Sequence, residues 1–261
     1  MAEKTTQVAE NKQNFGEALT VKLDSVTDAL PKDFNKTRFV QNCISVLNDN
    51  AETLAKYSQA QIMAGLLKGA SLGLEFVNKE CYLIPYGSKL NYQTSYTGEM
   101  KLAKKYSTRP IKEIYAKLIR EGDVFEETII NGEQTFNFKP KFLNDGAIIG
   151  AFAAVIYRDG GMNFEVMPLS ELENTRKHSK ASNSPAWKDF TGEMYRKTVI
   201  RRLCKYIDLE FENPAQRSTF DEEVAIETDV KEIHDTEVEA EANTVEFFVD
   251  GEEFEVTENA D

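Results

Sequence analysis

The sequence predicts an α+β fold: N-terminal helices, a central, mainly antiparallel β-hairpin and meander, a long basic closing helix, and a disordered acidic C-terminal tail. Three observations predict it. Up to residue 73, apolar residues recur every three or four positions, the period of a helix. From Cys81 to Met167 the period falls toward two and turn residues punctuate short apolar runs. Charge then separates along the chain. Asn213 to Asp261 holds 17 acidic and two basic residues (Arg217, Lys231), leaving 27 acidic and 29 basic residues in Met1 to Glu212. The expected organisation is a flexible N-terminus (1–15), a core (16–212) and an acidic tail (213–261) with one small hairpin at 245–256.

Glu17 to Leu30 carries Leu19, Leu23, Val26 and Leu30 at helical spacing, and Pro31 stops it. Asn35 to Leu47 repeats the pattern with Phe39, Cys43, Ile44 and Leu47. Ser58 is a good cap for a third helix, which Gly69 and Gly73 end. Cys81 to Tyr86 and Leu90 to Tyr96 flank Gly87-Ser88, the pattern of a hairpin. Gly98 to Tyr106 reads as a short basic helix. Strands follow at Ile111 to Leu118, Val124 to Ile130, Thr135 to Phe138, Ile148 to Tyr157 and Asn163 to Met167. Leu169 to Lys177 is helical with Ser170 as candidate cap, and Pro185 opens a long helix through Ile207.

Composition excludes several classes. The longest apolar run, Gly146 to Tyr157, is shorter than the roughly 18 residues of a membrane span and is rich in β-formers. No secretory signal opens the chain, and Cys43, Cys81 and Cys204 sit in apolar segments, so a reducing cytoplasm is expected. Spacing builds no zinc site from three cysteines and two histidines. No Walker-A, GxGxxG, GxSxG or HExxH pattern occurs, so neither cofactor nor catalytic residues are expected. The net charge of −13 argues against nucleic acid until the tail is separated; the body is then mildly basic.

Two features suit a nucleic-acid strand. In MYRKTVIRRLCKYI, Lys197, Arg201 and Lys205 repeat every four residues, roughly opposite the apolar stripe Val199, Leu203 and Ile207. Cations about 6 Å apart on a rigid helix match successive phosphates; a solvated face is the alternative. Arg196 and Arg202 flank the row, and Lys180 and Trp187 precede it. Trp187 either stacks on a base or packs in the core. The second feature is the hairpin with Tyr82, Tyr86, Tyr92 and Tyr96, followed by Lys101, Lys104 and Lys105. Strand alternation puts Tyr92 and Tyr96 on one face and Gln93 on the other. Such rings either stack on bases or pair across the sheet.

GLEF, CYLIPYG and YQTSYTGEMKLAKKY, within Gly73 to Tyr106, together with SPAWKDFTGEMYRKTVIRRLCKYI, Ser184 to Ile207, resemble the RecT family of phage single-strand DNA annealing proteins (recombinases). The likeness covers about residues 20–210; the family commonly places Trp directly after Ser-Pro, and here Ala186 intervenes. The resemblance implies ATP-independent binding of single-stranded DNA and annealing in phage-type homologous recombination. It implies a homo-oligomer, ring or helical filament, that holds the nascent duplex in a positively charged groove. A 5′→3′ exonuclease and a host single-strand-binding protein are the implied partners, with no membrane. The phage or prophage origin that the resemblance implies would place it in the bacterial cytoplasm. Lys197, Arg201, Arg202 and Lys205 carry over as backbone contacts, and Tyr92, Gln93 and Tyr96 as the hairpin side of the groove. Arg196, Lys180, Trp187, Lys101 and Lys104 complete the expected DNA-binding set.

The alternative function is a metal-dependent nuclease using body carboxylates such as Asp123, Glu126, Glu127, Asp145, Glu165 and Glu171. A third is an adaptor acting through its tail. The tail itself reads as a solubiliser, a partner-docking segment, or a competitor for the groove.

Overall fold

A computed structural model describes residues 15–130, 132–179 and 182–229. Lys180, the stretch 1–14 and the expected hairpin at 245–256 lie outside them.

The first half is helical, and its caps explain its boundaries. Helix α1 spans 15–25 and is followed by a 3₁₀ turn, Thr27–Ala29. Asn35 caps α2 (Lys36–Asp49) by accepting the Arg38 N–H. A short α3 (Ala51–Leu54) escapes the sequence pattern. Ser58 and Gln61 form a capping box on α4 (Gln59–Leu72), and Gly73 ends it at φ +67°, a conformation that costs glycine little. Leu19, Leu23, Phe39, Leu66 and Leu72 pack there against Leu83 and Tyr92 of a hairpin, β1 (Cys81–Tyr86) and β2 (Lys89–Thr94). The second strand ends two residues earlier than expected. Ser95 instead caps α5 (Tyr96–Tyr106), accepting the Gly98 N–H at 3.1 Å.

The remaining strands do not form a simple meander. β3 (Ile111–Arg120), β6 (Ile148–Tyr157) and β7 (Met162–Pro168) make one antiparallel sheet in the order β3-β6-β7. β4 (Val124–Ile130) and β5 (Glu133–Lys139) form a separate hairpin. The reason lies in β6, which is buried on both faces. Phe152 and Ala154 meet Phe125, Phe136 and Phe138 of the β4–β5 hairpin, while Ala151, Ala153 and Val155 meet helices on the other side. A strand that apolar on both faces belongs at the centre of a covered sheet.

After α6 (Leu169–Lys177), the expected long helix is two helices, α7 (Pro185–Asp189) and α8 (Thr191–Cys204), broken at Phe190 (φ −122°, ψ 37°). The Thr191 hydroxyl donates to the Trp187 carbonyl at 2.7 Å, a side-chain bond that competes with the helical ladder. Neither is the last element. α9 (Pro214–Asp229) docks on the body, inside the segment expected to be a disordered tail. Gln216 is fully buried, donating to the Tyr106 hydroxyl at 3.3 Å and accepting the Glu212 N–H at 2.9 Å. Phe220 packs on Phe211 with ring centroids 5.4 Å apart. The folded body therefore passes the expected boundary at 212. Among the described residues no helix is long and apolar enough to cross a membrane.

Candidate nucleic-acid interface

α8 is anchored by Tyr195, Val199, Ile200, Leu203 and Cys204, all buried against the sheet and its flanking helices. At 100° per residue, Lys197, Arg201 and Lys205 run along the helix edge away from these side chains. That edge meets α5. The Lys197 ammonium lies 5.5 Å from the centre of the Tyr96 ring, within cation–π range. Arg201 pairs with Glu99 of α5 at 3.2 Å. Lys205 is exposed at the C-cap of α8, and Lys104 is exposed on α5. The fold thus brings Lys197, Arg201, Lys205, Tyr96 and Lys104 onto two adjoining helices.

The hairpin adjoins α5. Its register pairs Tyr82 with Gln93 and Tyr86 with Lys89, so these four share the face turned away from α4. Burial pushes the Tyr86 phenol above its ordinary pKa, and Arg201 pulls it part of the way back, so the two lie in each other's field. α5 sits hard against the hairpin base: a Cβ at Gly98 would collide with the Glu80 carbonyl. The cation row and Tyr96 therefore share the α5–α8 edge, and Tyr86 of the outer hairpin face lies within the field of Arg201. Cations for backbone and flat rings for bases are what sequence-independent single-strand binding uses.

The sequence profile of the RecT family matches residues 37–238. The chain belongs to the RecT family. It is 28% identical over 199 residues to protein RecT of Escherichia coli (strain K12), covering 72% of each chain. The family match over residues 37–238 takes in the hairpin, α5 and α8.

Other expected site residues fall elsewhere in this RecT-family fold. Trp187 is only 3% exposed, edge-on to Tyr195 at 6.1 Å and 5.6 Å below the Arg176 guanidinium. It packs as a core residue, which α7 buries at the start of α8. Tyr92 is 7% exposed on the inner hairpin face, edge-on to Phe76, with its hydroxyl 3.2 Å from that of Thr94. Gln93, not Tyr92, faces outward, and Tyr96 is helical, so strand alternation does not apply to it. Lys101 is partly exposed and engaged within the chain, donating to Glu80 at 2.6 Å and to the Gly73 carbonyl at 3.0 Å. Arg202 turns away from α5 to Glu165 of β7 at 2.6 Å and Glu171 of α6 at 2.7 Å. Arg196 pairs with Glu193 of its own helix.

Tyr82, Tyr86 and Lys89 are outer-face residues missing from the expected set. Counting alternate positions across the turn from Gln93 finds them.

Three carboxylates of the nuclease alternative, Asp123, Glu165 and Glu171, have structural work. Asp123 accepts the Arg120 and Lys141 N–H groups, each at 2.9 Å, and the Asn144 amide at 2.7 Å. Glu165 and Glu171 hold Arg202. Glu173 accepts the Tyr195 hydroxyl, whose pKa is pushed up to about 12 by burial and by that carboxylate.

Proposed function

We propose that this RecT-family protein binds single-stranded DNA and anneals complementary strands without ATP, as a homo-oligomer acting in homologous recombination. The observation that carries the reading is the family match over residues 37–238, which takes in α4, the hairpin, α5 and α8 together. The physical character of the interface supports it. Annealing breaks no covalent bond, so it needs cations for phosphates and rings that support bases, and nothing catalytic.

Oligomerisation is supported by the loop 140–147. Phe142 and Leu143 are 88% and 84% exposed, and Leu143 holds φ +48°, a strained value for a side chain of its size. The hydrogen bonds to Asp123, with Asn144 donating to the Glu121 carbonyl at 3.0 Å, fix the loop in that form. Ile129, 64% exposed, marks the other end of the same β4–β5 hairpin. Apolar projections at opposite ends of one element suit a head-to-tail contact repeated from copy to copy.

The test is strand annealing without nucleotide. One labelled oligonucleotide is mixed with the protein, the complement is added, and duplex formation is followed. Accelerated pairing with the complement alone is expected. Pairing at the protein-free rate, by folded protein at low salt, refutes the reading, and cleavage abolished by a chelator would favour the nuclease.

A further inference from the structure

Residues 230–261 contain 12 acidic residues and one lysine, and the course of α9 fixes where they begin. α9 runs antiparallel to α4. The Ser71 hydroxyl meets that of Thr219 at 3.2 Å, and a turn further along α9 Lys68 pairs with Glu222 at 3.1 Å. Seven more residues, about 10 Å of helix, bring the end of α9 level with Gln61 in the first turn of α4. At that point the start of α4 and the turn before it hold the hairpin tip: Gln61 donates to the Ser88 carbonyl at 3.1 Å, and the Tyr57 hydroxyl donates to the Gly87 carbonyl at 3.0 Å. The chain therefore leaves α9 beside the tip of the hairpin whose outer face carries Tyr86 and Lys89.

We propose that residues 230–261 dock on the interface of α8, α5 and the outer hairpin face as a built-in mimic of single-stranded DNA, which DNA must displace. This rests on the reading of that interface as the DNA site. The chemistry is complementary on two counts. Lys89, Lys104, Lys197 and Lys205 offer positive charge to a segment of net charge −11. Tyr82, Tyr86 and Tyr96 offer rings, and VEFFVDGEEFEV interleaves Phe247, Phe248 and Phe254 with five carboxylates. Carboxylates alternating with flat apolar groups present to a protein what phosphates alternating with bases present. Reach does not limit the contact, since 32 residues span about 110 Å when extended. Tethering supplies the strength. At an effective concentration of about 1 mM, a segment with a Kd of about 0.1 mM lowers apparent DNA affinity about tenfold.

The experiment uses three full-length proteins: the natural chain, a variant with the nine acidic residues of 239–261 changed to Gln or Asn, and the charge-preserving triple variant F247S/F248S/F254S. Binding of a labelled oligonucleotide is measured against salt, and a peptide of residues 239–261 is added in trans to the neutralised variant. Expected are binding about tenfold tighter in the neutralised variant at low salt, a gap that closes as salt rises, tighter binding in the phenylalanine variant, and displacement of DNA by the peptide. Equal affinities in all three proteins overturn the proposal. So does tighter binding by the neutralised variant alone with an inert peptide, because the tail then repels DNA only through its net charge. If no form binds DNA, the reading of the interface fails, and the proposal with it.

Discussion

Replacing Lys197 and Lys205 together by alanine tests the proposed DNA edge of α8 against the edge that pairs with β7 and α6. Both lie on the α5 side, and alanine preserves the helix. Reversing Arg201 is less clean, because a glutamate there would face Glu99. On single strands each phosphate contact contributes about 0.7 to the slope of log affinity against log salt. Losing two lowers the slope by about 1.4. Across a fourfold rise in salt the variant should then lose about sevenfold less affinity than the natural protein. Fluorescence anisotropy of a labelled oligonucleotide over a salt series measures this, with circular dichroism melting as the folding control. The matched comparison is Arg202→Ala. Its partners Glu165 and Glu171 are partly exposed, so the change should cost about 1 kcal/mol of stability or less and leave the slope alone. An unchanged slope in a folded Lys197/Lys205 variant, or an equal drop with Arg202→Ala, refutes the assignment of the two edges.

Trp187→Ala should destabilise the fold by about 3–5 kcal/mol, read by denaturant unfolding, because a buried ring is removed from the junction of α7 and α8; a change below about 1 kcal/mol would contradict its core role. Ending the chain after Glu212 should lower the melting temperature, since it strips Gln216 and Phe220 from the body, whereas the acidic boundary read from composition predicts no change. The double variant F142S/L143S should keep its melting temperature and lose self-association in sedimentation; retained assembly would assign that surface another role.

Local signals in the sequence carried the helices and most strands. Ser58 with Gln61 and Gly73 bracket α4 because capping is a matter of a few adjacent residues. The apolar run of β6 betrays a strand buried on both faces. What stayed hidden was decided by partners distant in sequence. The β4–β5 hairpin lies over the sheet because Phe125, Phe136 and Phe138 find Phe152, and nothing in either strand says so alone. α9 was concealed by composition: acids dominate its segment, while Gln216 and Phe220 dock it. At the interface, the fourfold spacing of Lys197, Arg201 and Lys205 was legible. Their partners Tyr96 and Glu99 come from a helix a hundred residues away, and the acids that claim Arg202 come from β7 and α6. The hairpin tyrosines show the limit of alternation. Both phases of the hairpin contain one, so only its packing on α4 shows that Tyr92 is inside and Tyr82 outside.

Ion pairing within the fold bears on how an annealing protein would hold a strand. Glu99, Glu193, Glu165 and Glu171 already claim Arg201, Arg196 and Arg202, and the body up to Glu212 has only two more basic than acidic residues. One copy therefore neutralises few phosphates. That suits a strand whose bases must stay available for pairing, provided many weak holds act together along it. Affinity should then rise steeply with oligonucleotide length: weak for about 10 nucleotides, near the footprint of a single binding module, and far tighter for strands several times longer. F142S/L143S should flatten this dependence while leaving binding of the short strand unchanged, because it removes the proposed contact between copies and not the cations. Equal affinity for short and long strands in the natural protein would mean that one copy binds DNA fully by itself. The loop 140–147 would then have no part in holding the strand.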